Sequence, residues 1–185
     1  MQEYFQKIST PQLLGVELDP SNLETLKTYD KYQKYGVAAV RQFDEYSIHV
    51  STSYKAKPKD ILKATSFLPL DLLKLEDPEG WVLAMQHAGY LPAHVDADRE
   101  CTVNFYFDCD GQETRFFEYE SGTLVQKASF VAEHGDVYIL NTKKPHDVKL
   151  SANSPRKVFG LTFKNTPYEI VREQIMQGGF TSGHK

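Results

Sequence analysis

From residue 81 to 164 the chain alternates short apolar, β-branched and aromatic runs with small turn-forming pieces. The runs are WVLAMQH, PAHVDA, CTVNFYF, ETRFFEY, TLVQKASFVAE, DVYILN, HDVKL and RKVFGLTF, and between them stand pieces such as DCDG, ESG, HGD and TKKP. Short strands at regular spacing predict a sandwich or barrel rather than a βαβ sheet. Before this region the pattern is mixed. Ser21 and Glu24 stand at capping-box spacing, Leu23 and Leu26 share a face, and Gly36 offers a stop, so a helix is expected near 21–35. GVAAVRQF and EYSIHVSTS read as two strands turning at Asp44 and Glu45. YKAKPKD, with Lys55, Lys57 and Lys59, reads as a solvated loop, and the Leu-rich stretch 59–75 as short helical turns limited by Pro69 and Pro78. After the strands, Thr166 and Glu169 repeat the capping-box spacing, Pro167 suits a first helical position and Gly178 a stop, predicting a helix near 167–177.

Length and composition sharpen this without changing it. A chain of 185 residues closes one sizeable core and is short for two ordinary domains, so one domain is expected: 1–80 supporting, 81–164 a β core, 165–185 a helix and tail. A hydrophobic content of 41% with 25% charged residues is that of a globular protein. The net charge of −4 offers no electrostatic footprint for nucleic acid, which is not expected as a partner. No membrane span or leader pattern is visible, so the expectation is a soluble, cytoplasmic protein. Cys101 and Cys109 are too few for a disulfide framework and read as reduced, structural thiols.

The chemistry concentrates in His94, Asp96 and His146. Two apart in a segment read as a strand, His94 and Asp96 project from one face and can grip one ion; His146 opens a later strand that an antiparallel barrel can bring alongside. Two imidazoles and a carboxylate form the facial set that non-haem Fe(II) oxygenases use, leaving other positions open. A His-x-Asp pair alone is weak, because a lone histidine near an aspartate is more often a local hydrogen bond. The order of features around it is stronger: AHVDADRECTVNFYF, then HGDVYILNTKKPHDV, then RKVFGLTF.

That order resembles the double-stranded β-helix, a jelly-roll or cupin-like barrel, of the 2-oxoglutarate/Fe(II) oxygenases, especially small members with a His-x-Asp-x-x-Arg-x-x-x-x-Asn arrangement. The resemblance spans roughly residues 80–165, and no motif covers 1–75. It implies Fe(II) held by His94, Asp96 and His146, 2-oxoglutarate as cosubstrate with O₂, and Arg156 on the distal carboxylate of 2-oxoglutarate. A planar guanidinium suits that role because it binds a carboxylate through two parallel bonds. Asn104 and Tyr106 share one face of CTVNFYF, opposite Val103, Phe105 and Phe107. If the apolar trio packs outward against helices, the polar pair points into the barrel, where related enzymes hydrogen-bond 2-oxoglutarate. Arg99 and Asn141 fit the pattern too, or tie loops down. His49, His87, His134 and His184 read as structural or solvated, and Trp81 and Tyr90 as core or as a substrate mouth.

The implied activity is hydroxylation, or a demethylation that begins with it, of a small-molecule or peptide substrate, releasing succinate and CO₂. Asp96 argues against a halogenase, whose relatives carry a small residue at the carboxylate position. The competing readings are a cupin-like metal-binding protein and a zinc-dependent hydrolase, neither of which needs Arg156. A free amino acid, a protein side chain and a metabolite remain open as primary substrate, and the oligomeric state is open as well.

Overall fold

The structure is a computed structural model that describes residues 3–8, 24–25, 51–56, 58–85, 90–107, 109, 111–149 and 156–178. Its strands are β1 (Phe5–Ile8), β2 (Glu24–Thr25), β3 (Ser51–Lys55), β4 (Glu79–Met85), β5 (Tyr90–His94), β6 (Cys101–Phe107), β7 (Glu113–Glu120), β8 (Thr123–Val131), β9 (Val137–Asn141), β10 (His146–Lys149) and β11 (Arg156–Phe163). Among the described residues three helices join them: α1 (Pro58–Thr65), α2 (Leu70–Leu75) and α3 (Tyr168–Gly178). The strands form a seven-stranded sheet in the order β1-β9-β6-β11-β4-β3-β2 and a four-stranded sheet in the order β5-β10-β7-β8. Every strand pairing is antiparallel. The fold is mainly β, a jelly-roll sandwich of the cupin type.

Period-two alternation sorts the side chains into two apolar layers. On β6, Val103 and Phe105 face outward with Ile139, Phe159, Leu161 and Phe163, and this layer receives Ala64 of α1, Leu72 of α2 and Tyr168, Val171 and Ile175 of α3. On the inner side, Tyr106, Tyr138, Leu140 and Val158 meet Phe116, Ala128 and Phe130 of the four-stranded sheet. β9 is buried along its whole length because each of its faces belongs to one of these layers. Phe5 of β1 closes the inner layer, its ring 5.6 Å from Phe116 and 4.7 Å from Phe130. The expected outward packing of Val103, Phe105 and Phe107 against helices, with Asn104 and Tyr106 turned inward, is therefore what forms.

The helices follow from local chemistry. In α3 the buried Tyr168, Val171 and Ile175 make a single stripe at helical spacing. Its approach is fixed from α2: the Glu76 carboxylate accepts from the backbone N–H groups of Lys164 (2.6 Å), Asn165 (3.1 Å) and Thr166 (2.9 Å) and from the Thr166 hydroxyl (2.8 Å). Thr166, expected to pair with Glu169, thus gives its hydroxyl to Glu76. Gly80 lets α1 lie on β4, since a Cβ there would stand 2.4 Å from Cγ1 of Ile61.

Two expectations are corrected. Glu24 and Thr25, expected in a helix over 21–35, form the short strand β2, paired to Tyr54 and Lys55; tertiary pairing overrides a local capping signal. YKAKPKD is not one loop: Lys55 ends β3 and Pro58 opens α1, as its fixed φ and missing N–H allow. The remainder of 21–35, and residues 36–50, lie outside the described residues. Among the described residues no helix is long and apolar enough to cross a membrane.

Candidate metal and carboxylate site

His94 is the last residue of β5 and His146 the first of β10, and the two are directly paired across these neighbouring strands. Their ring centroids lie 4.5 Å apart. Asp96, expected within the same strand as His94, follows the strand's end instead, in a loop held by its own N–H donating to the Thr142 carbonyl at 3.0 Å. The loop still delivers the carboxylate: Oδ1 of Asp96 is 3.6 Å from Nε2 of His94. One ligand atom from each of His94, Asp96 and His146 lies within 4.8 Å of the others, the arrangement a single cation needs. His146 is buried, and its Nδ1 sits 2.9 Å from the Lys144 carbonyl. Because a carbonyl only accepts, the proton belongs on Nδ1, which turns the Nε2 lone pair toward the site. Two neutral imidazoles and one hard carboxylate fit a divalent first-row metal with open positions.

The same cavity, about 130 Å³, is lined from the facing sheet by Arg156, Asn104, Thr102 and Gly160. Arg156 opens β11 and is only 4% exposed. One of its nitrogens, Nη2, donates to the Tyr106 hydroxyl (3.2 Å) and the Thr114 hydroxyl (3.1 Å), while Nε and Nη1 are buried with no acceptor among the described residues. An unpaired buried donor costs roughly 1–3 kcal/mol, so two on one cationic group mark a place prepared for an acceptor from outside.

Tyr106 extends the same logic. Burial pushes its phenol up from the ordinary value, against the opposing pull of the Arg156 charge and a hydrogen bond from Asn104, so the group keeps its proton. Asn104 in turn accepts from the Thr102 hydroxyl at 2.8 Å. Thr102, Asn104 and Tyr106 therefore form a polar ladder up the inner face of β6 that ends at Arg156. Gly160 of β11, paired with Asn104, makes room for it: a Cβ there would stand 3.1 Å from Oδ1 of Asn104 and 3.2 Å from Oγ1 of Thr102.

The remaining candidates separate cleanly. Arg99 lies beside the triad, with Nε 3.2 Å from Oδ2 of Asp96. Asn141 is a tie: its amide donates to the Glu3 carbonyl and its oxygen accepts from the Lys143 N–H. Trp81 lines the cavity. His134 is exposed in a turn, its ring 6.2 Å from Phe107, and is not in the triad. His49, His87, His184 and the Tyr90 side chain lie outside the described residues. Cys101 and Cys109 are not joined in a disulfide, and burial pushes the Cys101 thiol well up. Sequence reasoning misses Thr114, because a lone threonine in ETRFFEY carries no chemical mark. Only its alternation with the buried Phe116 places it on the inward face.

No protein-family model matches the chain, and no curated protein sequence matches it. Among solved structures it is similar to a prolyl-4-hydroxylase from Pseudomonas putida, at 20% identity over 68% of this chain and 75% of that one, TM-score 0.45. It is also similar to a 2OG-Fe(II) oxygenase family protein from Burkholderia pseudomallei, at 14% identity over 70% of this chain and 76% of that one, TM-score 0.45. A third likeness is to the vicilin of hazelnut, Corylus avellana, at 15% identity over 62% of this chain, TM-score 0.42; this chain spans 29% of that protein's length. Similarity this distant joins oxygenases and vicilins alike, so the case for a function rests on the residues of the cavity.

Proposed function

We propose that the protein is an Fe(II)- and 2-oxoglutarate-dependent dioxygenase that hydroxylates a small-molecule or peptide substrate. The observation that carries this reading is the pairing, in one cavity, of a His94–Asp96–His146 cluster with a buried arginine whose Nε and Nη1 have no acceptor among the described residues. A cupin-type binder or a zinc hydrolase leaves those donors of Arg156 without a purpose.

Iron bound at this site, together with 2-oxoglutarate and O₂, supplies the oxidising power for C–H hydroxylation with release of succinate and CO₂. The chain's own residues bind and orient. His94, Asp96 and His146 would hold the metal, with the Lys144 carbonyl keeping His146 in the ligating tautomer. Arg156 would receive the distal carboxylate through Nε and Nη1, and the protonated Tyr106 adds a donor beside it. Thr114 holds the guanidinium from the facing sheet, and Asn104 holds Tyr106. Burial of these groups keeps water from competing for the carboxylate.

The test is anaerobic addition of 2-oxoglutarate to the Fe(II)-loaded protein. A weak visible charge-transfer band, and succinate formation on admitting air, are expected. Metal uptake with no band and no 2-oxoglutarate binding would leave the metal-binding or hydrolase reading in its place.

A further inference from the structure

A carboxylate can meet a cation through one oxygen or through both, and in this chain the two oxygens of Asp96 are not equivalent. Oδ1 faces Nε2 of His94 at 3.6 Å, and Oδ2 stands 3.2 Å from Nε of Arg99. Both side chains are largely shielded, Asp96 at 14% and Arg99 at 26% exposure, so the pair is only partly screened by water. Arg99 is itself restrained. Its Nε donates to Oδ1 of Asp98 at 3.1 Å, Nη1 to the Thr162 hydroxyl at 3.5 Å, and its carbonyl accepts from the Thr142 hydroxyl at 3.3 Å. Thr142 also takes the Asp96 N–H on its carbonyl at 3.0 Å. One residue of the turn between β9 and β10 thus ties the backbones of Asp96 and Arg99 together, just ahead of His146 in the chain.

We propose that Arg99 is a positioning residue that keeps Asp96 a one-oxygen ligand: it occupies Oδ2 and leaves only Oδ1, on the His94 side, for a metal. Turning Oδ2 onto the metal would break the ion pair, and the contacts of Nε with Asp98 and of Nη1 with Thr162 hold the guanidinium back from following. The effect is to keep one more position on the metal free for water or an incoming ligand. It also places a cation close to the site, so Arg99 weakens metal binding while preserving openness. The inference rests on the triad proposed above, but not on 2-oxoglutarate.

Mn(II) alone is the probe, added to wild type, Arg99→Gln and Arg99→Lys, with affinity read by titration and bound water counted by pulsed electron paramagnetic resonance in isotopically labelled water. Arg99→Gln should bind Mn(II) roughly two- to five-fold more tightly, the scale of a partly exposed charge pair, and should carry one fewer bound water. Arg99→Lys restores a cation near Oδ2 and should return both readings toward wild type. A residue that merely braces the loop would give the opposite sign, weaker binding in Arg99→Gln with no rescue by lysine. That result, or an unchanged water count in Arg99→Gln, overturns the inference and leaves the triad standing. Wild type that binds no Mn(II) overturns the triad and this inference together.

Discussion

The Arg156 guanidinium lies over the ring of Tyr106, 5.1 Å from its centroid, while donating to that ring's hydroxyl at 3.2 Å. The contact uses one nitrogen, and Nε and Nη1 have no acceptor among the described residues. Arg156→Met keeps much of the length and removes the charge. Removing one partner of a buried, hydrogen-bonded charge pair costs about 2–5 kcal/mol, so 2-oxoglutarate affinity should fall roughly 30-fold to several thousand-fold. Fe(II) binding should persist, and Arg156→Lys should recover part of the loss because it lacks the fork. Anaerobic titration of the Fe(II) forms measures this, and equal affinities in all three proteins would sink the assignment.

Each of His94→Ala, Asp96→Ala and His146→Ala should abolish metal-dependent turnover, since every one removes a ligand of three. His134→Ala, at an exposed turn, should leave the metal stoichiometry as it is. Metal analysis of the purified variants separates the two outcomes. Full turnover in any of the first three would move the site.

Gly160→Ala tests the ladder. The added methyl meets Oδ1 of Asn104 and Oγ1 of Thr102 closer than side chains normally stand, so these side chains must shift by a few tenths of an ångström and their hydrogen bond is strained. A neutral hydrogen bond is worth on the order of 1 kcal/mol, which makes about a five-fold rise in the 2-oxoglutarate dissociation constant the expected result. Metal affinity should be unaffected, because neither residue is in the triad.

Glu76 sets a stability limit in acid. Burial resists its ionisation, but the N–H groups of Lys164, Asn165 and Thr166 and the Thr166 hydroxyl outweigh that and hold its carboxyl below the usual carboxylate range. A carboxylate whose folded value is depressed stabilises the fold fully above its unfolded value and loses that contribution as pH falls through the folded one. Melting temperature should therefore drop as pH is lowered below about 4.5, and Glu76→Gln should flatten that part of the profile while lowering the plateau at neutral pH. Parallel profiles for the two proteins would show that Glu76 is not the group responsible.

The β sandwich is legible in the sequence because strands covered on both faces, as in CTVNFYF and DVYILN, read as short, nearly continuous apolar runs set off by turn residues. The triad is legible because its three residues are chemically distinctive, His94 and His146 at strand ends and Asp96 two residues beyond one. Local cues fail where long-range contacts decide. Glu24 carries a helix-start signal, yet its segment pairs with Tyr54 and Lys55 in the sheet. Thr166 carries a cap signal, yet Glu76, ninety positions earlier, takes its hydroxyl. Thr114 and Thr142 acquire their roles through partners far away in the sequence, Arg156 for the first and the loop residues Asp96 and Arg99 for the second, and a threonine has no spacing that announces such a partner.

β1 has a consequence beyond packing. It pairs residue for residue with β9, and Phe5 pins it to the four-stranded sheet. Take it away and VYILN, an apolar strand with no charge, becomes the rim of the larger sheet with its N–H and C=O groups unclaimed. A rim of that kind is a template for strands from other chains. Residues 3–8 thus act as a guard against self-association, and a chain lacking them should form oligomers or aggregates, visible by light scattering, at concentrations where the intact chain does not.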